Sequence, residues 1–384
     1  MATDYYLGEL CKPLVAKMKQ QKFNIPKKDP TMRDYYTVKK IIDNLVQTLK
    51  REGLTKNANA IVFRWLLSQK LFDIESANDP IIPTSTSINQ GFRVYLKSKG
   101  FNAGSIDSLE KEFANIITTS KNQLDSYEEK EYGNPILVQL EHYLTITTDS
   151  LSFNITMERF AKLKKSYLNF SKSEDGLMLY LFKLLMRYNP ITELCSGYSG
   201  GCPPRLFSCL QEKLKVDWEL FASPLNNTLD NYFSAYDDTD IPFGSKGNFF
   251  SKFNDLVDLG GNFELNPPFT EEYLSITTEM ILEALIKHKD DDIPLTFVYI
   301  HPTWDDLYGY KNMKNSEFLI KELCFSQKKH YYYSGLQHDP YNNRVSASSA
   351  ASTIFLLQNN SAKIVNPITP DIIRAIKESF STNS

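Results

Sequence analysis

Glycine is scarce in this chain, at 16 of 384 residues, and no G-x-G-x-x-G run occurs. That excludes the standard dinucleotide fingerprint, whose glycines let backbone approach a pyrophosphate. Cysteine and histidine are also few, at 5 each. Of Cys11, Cys195, Cys202, Cys209 and Cys324, three fall at seven-residue intervals, which matches neither a C-x-x-C metal site nor a disulfide framework. The odd count fits a reducing compartment, and no bound metal is expected. No apolar run approaches the roughly 18 residues of a membrane span. Lysines interrupt Cys11–Gln20, where a secretory leader needs an unbroken apolar stretch. The chain therefore reads as soluble and intracellular, with no membrane partner.

The net charge of −3 excludes a uniformly basic protein. Charge is nevertheless unevenly placed, because residues 1–60 hold 12 Lys or Arg against 6 Asp or Glu. Such a segment serves as a footprint for phosphates or as a solvated surface. Tyr and Phe are plentiful, at 22 and 24; most fill cores, and the same rings are what nucleobases stack on.

The length suits about two domains. The first part has helical periodicity: Val38, Ile41, Ile42, Leu45 and Leu49 make a stripe within Tyr36–Arg51, and Gly53 ends it. Further helices are predicted from Thr55 to Phe72, from Ser105 through Leu124, from an Asn154 cap through Leu168, and over Leu177–Tyr188, with a loop over 76–90. Past the Gly/Ser loop Cys195–Gly201 the character changes. Strands are predicted at Val216–Phe221, Asn262–Leu265, Leu295–Ile300, Phe325–Tyr333 and Thr353–Leu357, and helices at Thr270–Lys287, Lys314–Leu323 and Asp371–Phe380. That alternation indicates a mostly parallel α/β sheet. The expected architecture is an all-helical domain over 1–190 followed by a Rossmann-like α/β domain over 191–384.

The tetrapeptide Asn266-Pro267-Pro268-Phe269 follows a predicted strand and precedes a predicted helix. It fits the (Asp/Asn/Ser)-Pro-Pro-aromatic pattern of amino-group methyltransferases. Adenine N6 is a poor nucleophile because its lone pair is delocalised into the ring. Two acceptors, the Asn266 side-chain oxygen and the Pro267 carbonyl, would bind its hydrogens, the prolines would fix the backbone, and Phe269 would hold the base plane. Such catalysis works by positioning and electrostatics. The bland reading of the same residues is a Pro-Pro turn between strand and helix. In an open α/β sheet the ligand sits at the carboxyl ends of the strands, so the segment after Val216–Phe221 is the candidate cofactor loop, with Asp237, Asp238 and Asp240 able to accept ribose hydroxyls or simply to solvate a turn.

Several ordered stretches together resemble the phosphorylated CTD-interacting factor family: Phe221-Ala-Ser-Pro-Leu-Asn226, Phe233–Asp240, Phe243-Gly-Ser-Lys-Gly247, Phe263–Phe269, His301-Pro-Thr-Trp304, Tyr333–His338 and Thr353–Asn359. The resemblance covers about 215–360, and more faintly 35–190. It implies a cap-specific adenosine N6-methyltransferase that uses S-adenosylmethionine, acts on capped mRNA and works in the nucleus, with cytoplasm or a viral factory equally compatible. It assigns Asn266, Pro267, Pro268 and Phe269 to catalysis. Phe221, Ala222, Ser223, Pro224, Asn226, Asp238, Asp240, Phe243 and Gly244 would line the cofactor. Arg33, Lys39, Lys40, Arg51, Arg64, Trp304, Gln337 and His338 are candidate RNA or cap contacts, Trp65 beside Arg64 reading as core. The family's animal members carry a WW domain; Trp65, Trp218 and Trp304 are too dispersed for one. The expectation is that the WW domain is missing and that polymerase-tail binding is lost with it. An N6-adenine methyltransferase for other RNA or DNA, and a non-catalytic binding homologue, are the alternatives.

Overall fold

The computed structural model describes residues 31–55, 57–72, 83, 90–125, 133–192, 194, 200–342 and 345–381. The predicted 76–90 loop, the interrupted Cys11–Gln20 stretch and most of Cys195–Gly201 lie outside these described residues. The chain divides into two compact units, with a boundary between residues 196 and 197.

The first unit begins with α1 (Met32–Arg51), capped by a reciprocal pair: Asp34 N–H donates to Thr31 Oγ1 at 3.2 Å, and Thr31 N–H donates to the Asp34 carboxylate at 2.9 Å. Met32, Tyr35, Val38, Ile42, Leu45 and Leu49 form its buried stripe. The helices α2 (Ala58–Phe72), α3 (Gln90–Ser98) and α4 (Ala103–Asp125) follow, and α1 packs on α2 and α4. The helices α5 (Met157–Ser171) and α6 (Leu177–Thr192) complete the unit. The cap of α5 is Thr156, not Asn154: Arg159 N–H donates to the Thr156 hydroxyl at 3.3 Å, while Asn154 lies in a strand. That strand corrects the all-helical expectation. β1 (Ile136–Gln139), β2 (Leu144–Thr147) and β3 (Ser152–Ile155) form an antiparallel meander. Short strands joined by tight turns carry little periodic signal, so helix propensity in the flanks concealed them.

The second unit is a three-layer α/β/α domain. Its strands are β4 (Trp218–Glu219), β5 (Asn231–Tyr232), β6 (Gly261–Leu265), β7 (Leu295–Pro302), β8 (Leu319–Phe325) and β11 (Ser352–Gln358), with a separate hairpin of β9 (Tyr331–Tyr333) and β10 (Val345–Ala347). The sheet order is β5-β4-β6-β7-β11-β8. The first four strands are parallel, and β11 enters antiparallel between β7 and β8. One face is covered by α7 (Pro204–Leu214) and α11 (Pro370–Phe380), packed on Val298, Ile300, Ile354 and Leu356. The other is covered by α8 (Phe249–Val257), α9 (Glu271–Lys287) and α10 (Tyr308–Lys314): Phe253 meets Phe297, and the Tyr299 hydroxyl donates to the Leu274 carbonyl at 3.0 Å.

The helix predicted over Lys314–Leu323 is corrected: its second half is β8, paired to β11 from Leu319 onward. The apolar residues there fit either period, and pairing with a fully buried strand decides between them. The strand predicted over Phe325–Tyr333 is likewise two strands, with a turn at Lys328 between them. Where β6 begins, Gly261 has φ +149°, and a Cβ there would stand 2.9 Å from the Phe263 ring, so the position demands glycine.

His301, near the end of β7, is completely buried among Tyr299, Tyr310 and Phe355. Its Nδ1–H donates to the Pro302 carbonyl at 2.5 Å, and burial pushes its pKa down to about 4. The folded imidazole stays neutral where the unfolded one, with a value of 6.5, takes a proton. The unfolded state then binds more protons, so stability falls as pH drops from about 6.5 to about 4. Chemical denaturation across that range should show wild type losing up to about 3 kcal/mol more than His301→Phe. Parallel pH profiles for the two proteins would contradict a buried neutral His301.

Candidate active site

The chain order around β4 creates a crevice. From β4 the chain crosses to β5 on one side, then returns through α8 to β6 on the other side. The switch point therefore lies between β4 and β6, and their carboxyl ends are where an open α/β sheet binds ligand. The two strands are in register, Trp218 opposite Phe263 and Glu219 opposite Glu264, and Leu220 N–H donates to the Glu264 carbonyl at 2.9 Å. This register brings Phe221-Ala-Ser-Pro-Leu-Asn226 and Asn266-Pro-Pro-Phe269 to one edge. Trp304 reaches the same edge, because β7 runs parallel to β6 and ends at Pro302.

Asn266 is held in one orientation. Its Nδ2–H donates to the Gly200 carbonyl at 2.7 Å, so Oδ1 is the end it presents. Among the described residues no donor reaches Oδ1 or the Pro267 carbonyl. The Pro268 carbonyl, by contrast, accepts Thr270 N–H at 2.7 Å, and the Thr270 hydroxyl then caps α9 by accepting Tyr273 N–H at 3.3 Å. Phe269 is half-buried and edge-on to Tyr332, with ring centroids 6.1 Å apart. The motif thus offers two unengaged acceptors beside an aromatic ring braced from behind.

Asn226 is held in the opposite sense. Its Oδ1 accepts Ser223 N–H at 2.8 Å and the Ser223 hydroxyl at 2.9 Å, leaving Nδ2 as the presented donor. Half-buried Phe221 adds an apolar ring 4.5 Å from Phe249, and half-buried Asp237 and Asp238 follow β5 in one helical turn. An amide donor, an aromatic ring and carboxylates at a switch-point edge are the groups that a zwitterionic, adenine-bearing sulfonium would need, so this donor set fits S-adenosylmethionine.

Other expected contacts are used up internally. Asp240 is completely buried, its carboxylate accepting Tyr236 N–H at 3.2 Å and the Thr239 hydroxyl at 3.0 Å; it builds the turn and does not reach a ligand. Phe243 is buried, its carbonyl accepts the Tyr232 hydroxyl at 3.0 Å, and Gly244 closes the turn at φ +102°. Ala222 N–H is taken by the Phe233 carbonyl at 3.0 Å. In the first unit, Arg64 is only 4% exposed, with its guanidinium stacked 3.8 Å from the Tyr95 ring, so it is corrected from an RNA contact to a core cation. Trp65 packs edge-on against Phe113, as a core residue should. Lys40 and Arg51 are exposed on α1, with Lys40 bonded to Gln123 at 2.5 Å; Arg33 and Lys39 are half-buried.

Residues with no obvious sequence signal complete the site. Gly200 supplies the carbonyl for Asn266, and a Cβ there would stand 3.1 Å from Tyr332 Cβ. Gly201 pairs with Tyr333 through two backbone hydrogen bonds of 2.8 and 2.9 Å, and Gln337 Nε2 stands 3.2 Å from where its Cβ would be. The Tyr333–His338 segment is thereby tied to the motif; His338 itself is buried. Beneath Asn266, Glu264 is 1% exposed, both its oxygens lack an oxygen or nitrogen partner, and the Cys202 thiol faces it. Burial and the neighbouring Glu219 charge raise the Glu264 pKa well above the carboxylate range. Glu219 accepts Thr228 N–H at 2.7 Å and Leu229 N–H at 3.1 Å, so the charge of the pair belongs on Glu219. Among the described residues no group of three or more His, Cys, Asp or Glu could hold a metal ion.

Residues 158–335 match the family model described as phosphorylated CTD interacting factor 1 WW domain. The expected absence of the WW domain is therefore corrected, and the argument against polymerase-tail binding drawn from dispersed tryptophans falls with it; Trp218 and Trp304 both lie inside the matched span. Two curated relatives are named mRNA (2′-O-methyladenosine-N(6)-)-methyltransferase. The Homo sapiens protein is 30% identical over 193 residues, 48% of this chain and 26% of the relative. The Mus musculus protein is 34% identical over 150 residues, 37% of this chain and 20% of the relative. The chain thus spans about a quarter of the length of the curated relatives it matches.

The protonated Glu264 has a measurable signature. Its folded pKa stands above the ordinary 4.5, so the unfolded state releases a proton that the folded state keeps. The stabilising contribution is complete below about pH 4.5 and is lost as pH rises toward the folded pKa. Glu264→Gln, which keeps the neutral shape, should therefore gain in Tm over wild type as pH climbs from 4 to 8. A difference in Tm independent of pH would contradict the assignment.

Proposed function

We propose that this protein transfers a methyl group from S-adenosylmethionine to N6 of the cap-adjacent 2′-O-methyladenosine of mRNA. The observation that carries this reading is the fixed amide of Asn266, which presents Oδ1 beside the unengaged Pro267 carbonyl. An exocyclic amine has two hydrogens, and two rigidly placed acceptors match them. Accepting both hydrogens favours a pyramidal nitrogen whose lone pair is available. Phe269 bears on the base plane, and Tyr332 keeps that ring from turning away. Both prolines hold φ, so the acceptors are organised before substrate arrives. The bound cofactor supplies an electrophilic methyl group. Asn226 Nδ2–H, Phe221 and the carboxylates of Asp237 and Asp238 orient it at the end of β4. The chemistry named for the curated relatives supports the same reading. On the RNA side, Arg33, Lys40 and Arg51 are proposed to meet phosphates, and Trp304 and Gln337 to border the adenosine; the nucleus is the proposed setting.

Labelled S-adenosylmethionine incubated with matched short RNAs, followed by nucleoside mass spectrometry, tests the proposal. The expected product is N6,2′-O-dimethyladenosine in the capped RNA alone. Equal methylation of uncapped RNA would move the substrate to general adenines, and no methylation of either would overturn the reading. Asn266→Ala should lower turnover by about 10²–10³-fold, as loss of a transition-state hydrogen-bond partner does. Turnover within a few-fold of wild type would remove Asn266 from the chemistry.

A further inference from the structure

The hairpin of β9 and β10 has one face that the catalytic reading does not use. Strand alternation sends Tyr332 inward, against Phe269, His330 and Phe380, with its hydroxyl donating to Ser352 Oγ at 3.0 Å. Tyr331 and Tyr333 share the opposite face, half-exposed, with ring centroids 6.1 Å apart. Their cross-strand partners are Ala347 and Val345, side chains too small to cover the rings. Neither tyrosine hydroxyl makes a hydrogen bond among the described residues.

This face is joined directly to the motif: Tyr333 pairs with Gly201 through the backbone, and Gly200 holds Asn266. The Arg205 guanidinium stands 4.9 Å from the Tyr331 ring centroid, adding positive charge at the far end. Paired aromatic rings beside a cation are how single-stranded RNA is held without sequence preference, bases on the rings and phosphate on the charge. A cationic 7-methylguanine would want a carboxylate beside the rings; here the neighbour is another cation, which favours a neutral base with its phosphate.

We propose that Tyr331 and Tyr333 form a stacking subsite for the nucleotide that follows the target adenosine, with Arg205 beside its phosphate. The proposal rests on the reading of Asn266–Phe269 as the methyl-transfer site and adds a determinant of substrate length. The test compares wild type, Tyr331→Ala/Tyr333→Ala and Tyr331→Phe/Tyr333→Phe on two substrates. One is a capped 2′-O-methyladenosine with nothing following it; the other is a capped pentanucleotide with the same adenosine. Wild type should prefer the pentanucleotide in kcat/KM. The double alanine variant should lose about tenfold or more of that preference, mainly through KM, and the double phenylalanine variant should keep it. An unchanged preference in the alanine variant, or an equal loss on both substrates, would overturn the subsite. If wild type methylates neither substrate, the methyl-transfer reading fails by itself. Fluorescence anisotropy with an uncapped pentanucleotide still decides the subsite: about tenfold weaker binding by the alanine variant supports it, and equal binding overturns it.

Discussion

The in-register pairing of β4 with β6 is the constraint on which the rest of the second unit depends. Because Glu219 stands opposite Glu264, the chain leaves both strands at one level, and two asparagines, Asn226 and Asn266, emerge at the same edge. Each amide is tied by its less useful end. Ser223 takes the oxygen of Asn226, and Gly200 takes the nitrogen of Asn266. The edge therefore presents one donor and one acceptor of fixed identity, with no choice left to side-chain rotation. An amide that could flip would offer the wrong group part of the time; a tethered one has its orientation set during folding, which is the preorganisation that electrostatic catalysis requires.

A polar seam supports that edge from beneath. Glu264 and Cys202 face each other, Tyr332 bonds to Ser352, and His330 Nε2 shares the same Ser352 hydroxyl at 2.8 Å. These groups sit within an otherwise apolar face built by Leu206, Phe207, Ile354 and Phe380. A buried carboxyl with unsatisfied oxygens costs stability, and it persists here directly under the residues proposed to do the chemistry. Strained or poorly satisfied polar groups concentrate at functional sites for this reason. Tyr332 links the seam to the proposed site, since its ring meets both Phe380 of the core and Phe269 of the motif in T-shaped contacts.

The legible parts of the sequence were those with strong local chemistry. Asn266–Phe269 between a strand and a helix could be read directly, because prolines and a Thr cap leave few conformations. The long apolar strands β7 and β11 and the helices α1 and α9 were found within a few residues of their bounds. Elements defined by partners were harder. β4 and β5 have two residues each, and β8 looked helical until β11 was beside it. Asp240 and Arg64 have the residue types of ligand contacts, but burial turns one to the backbone and the other to a tyrosine ring. Gly200 gave no warning at all, since its role is a carbonyl aimed at a side chain 66 positions away.

The central claim is that the carboxyl edge between β4 and β6 is where the methyl donor lies. Ultraviolet crosslinking of labelled S-adenosylmethionine to the intact protein, followed by peptide mapping, tests it without any assumption about RNA. Label is predicted in peptides spanning 218–226 or 261–269, and competition by S-adenosylhomocysteine should remove it. Specific label confined to the helical unit, or to peptides remote from both strand ends, would contradict the account.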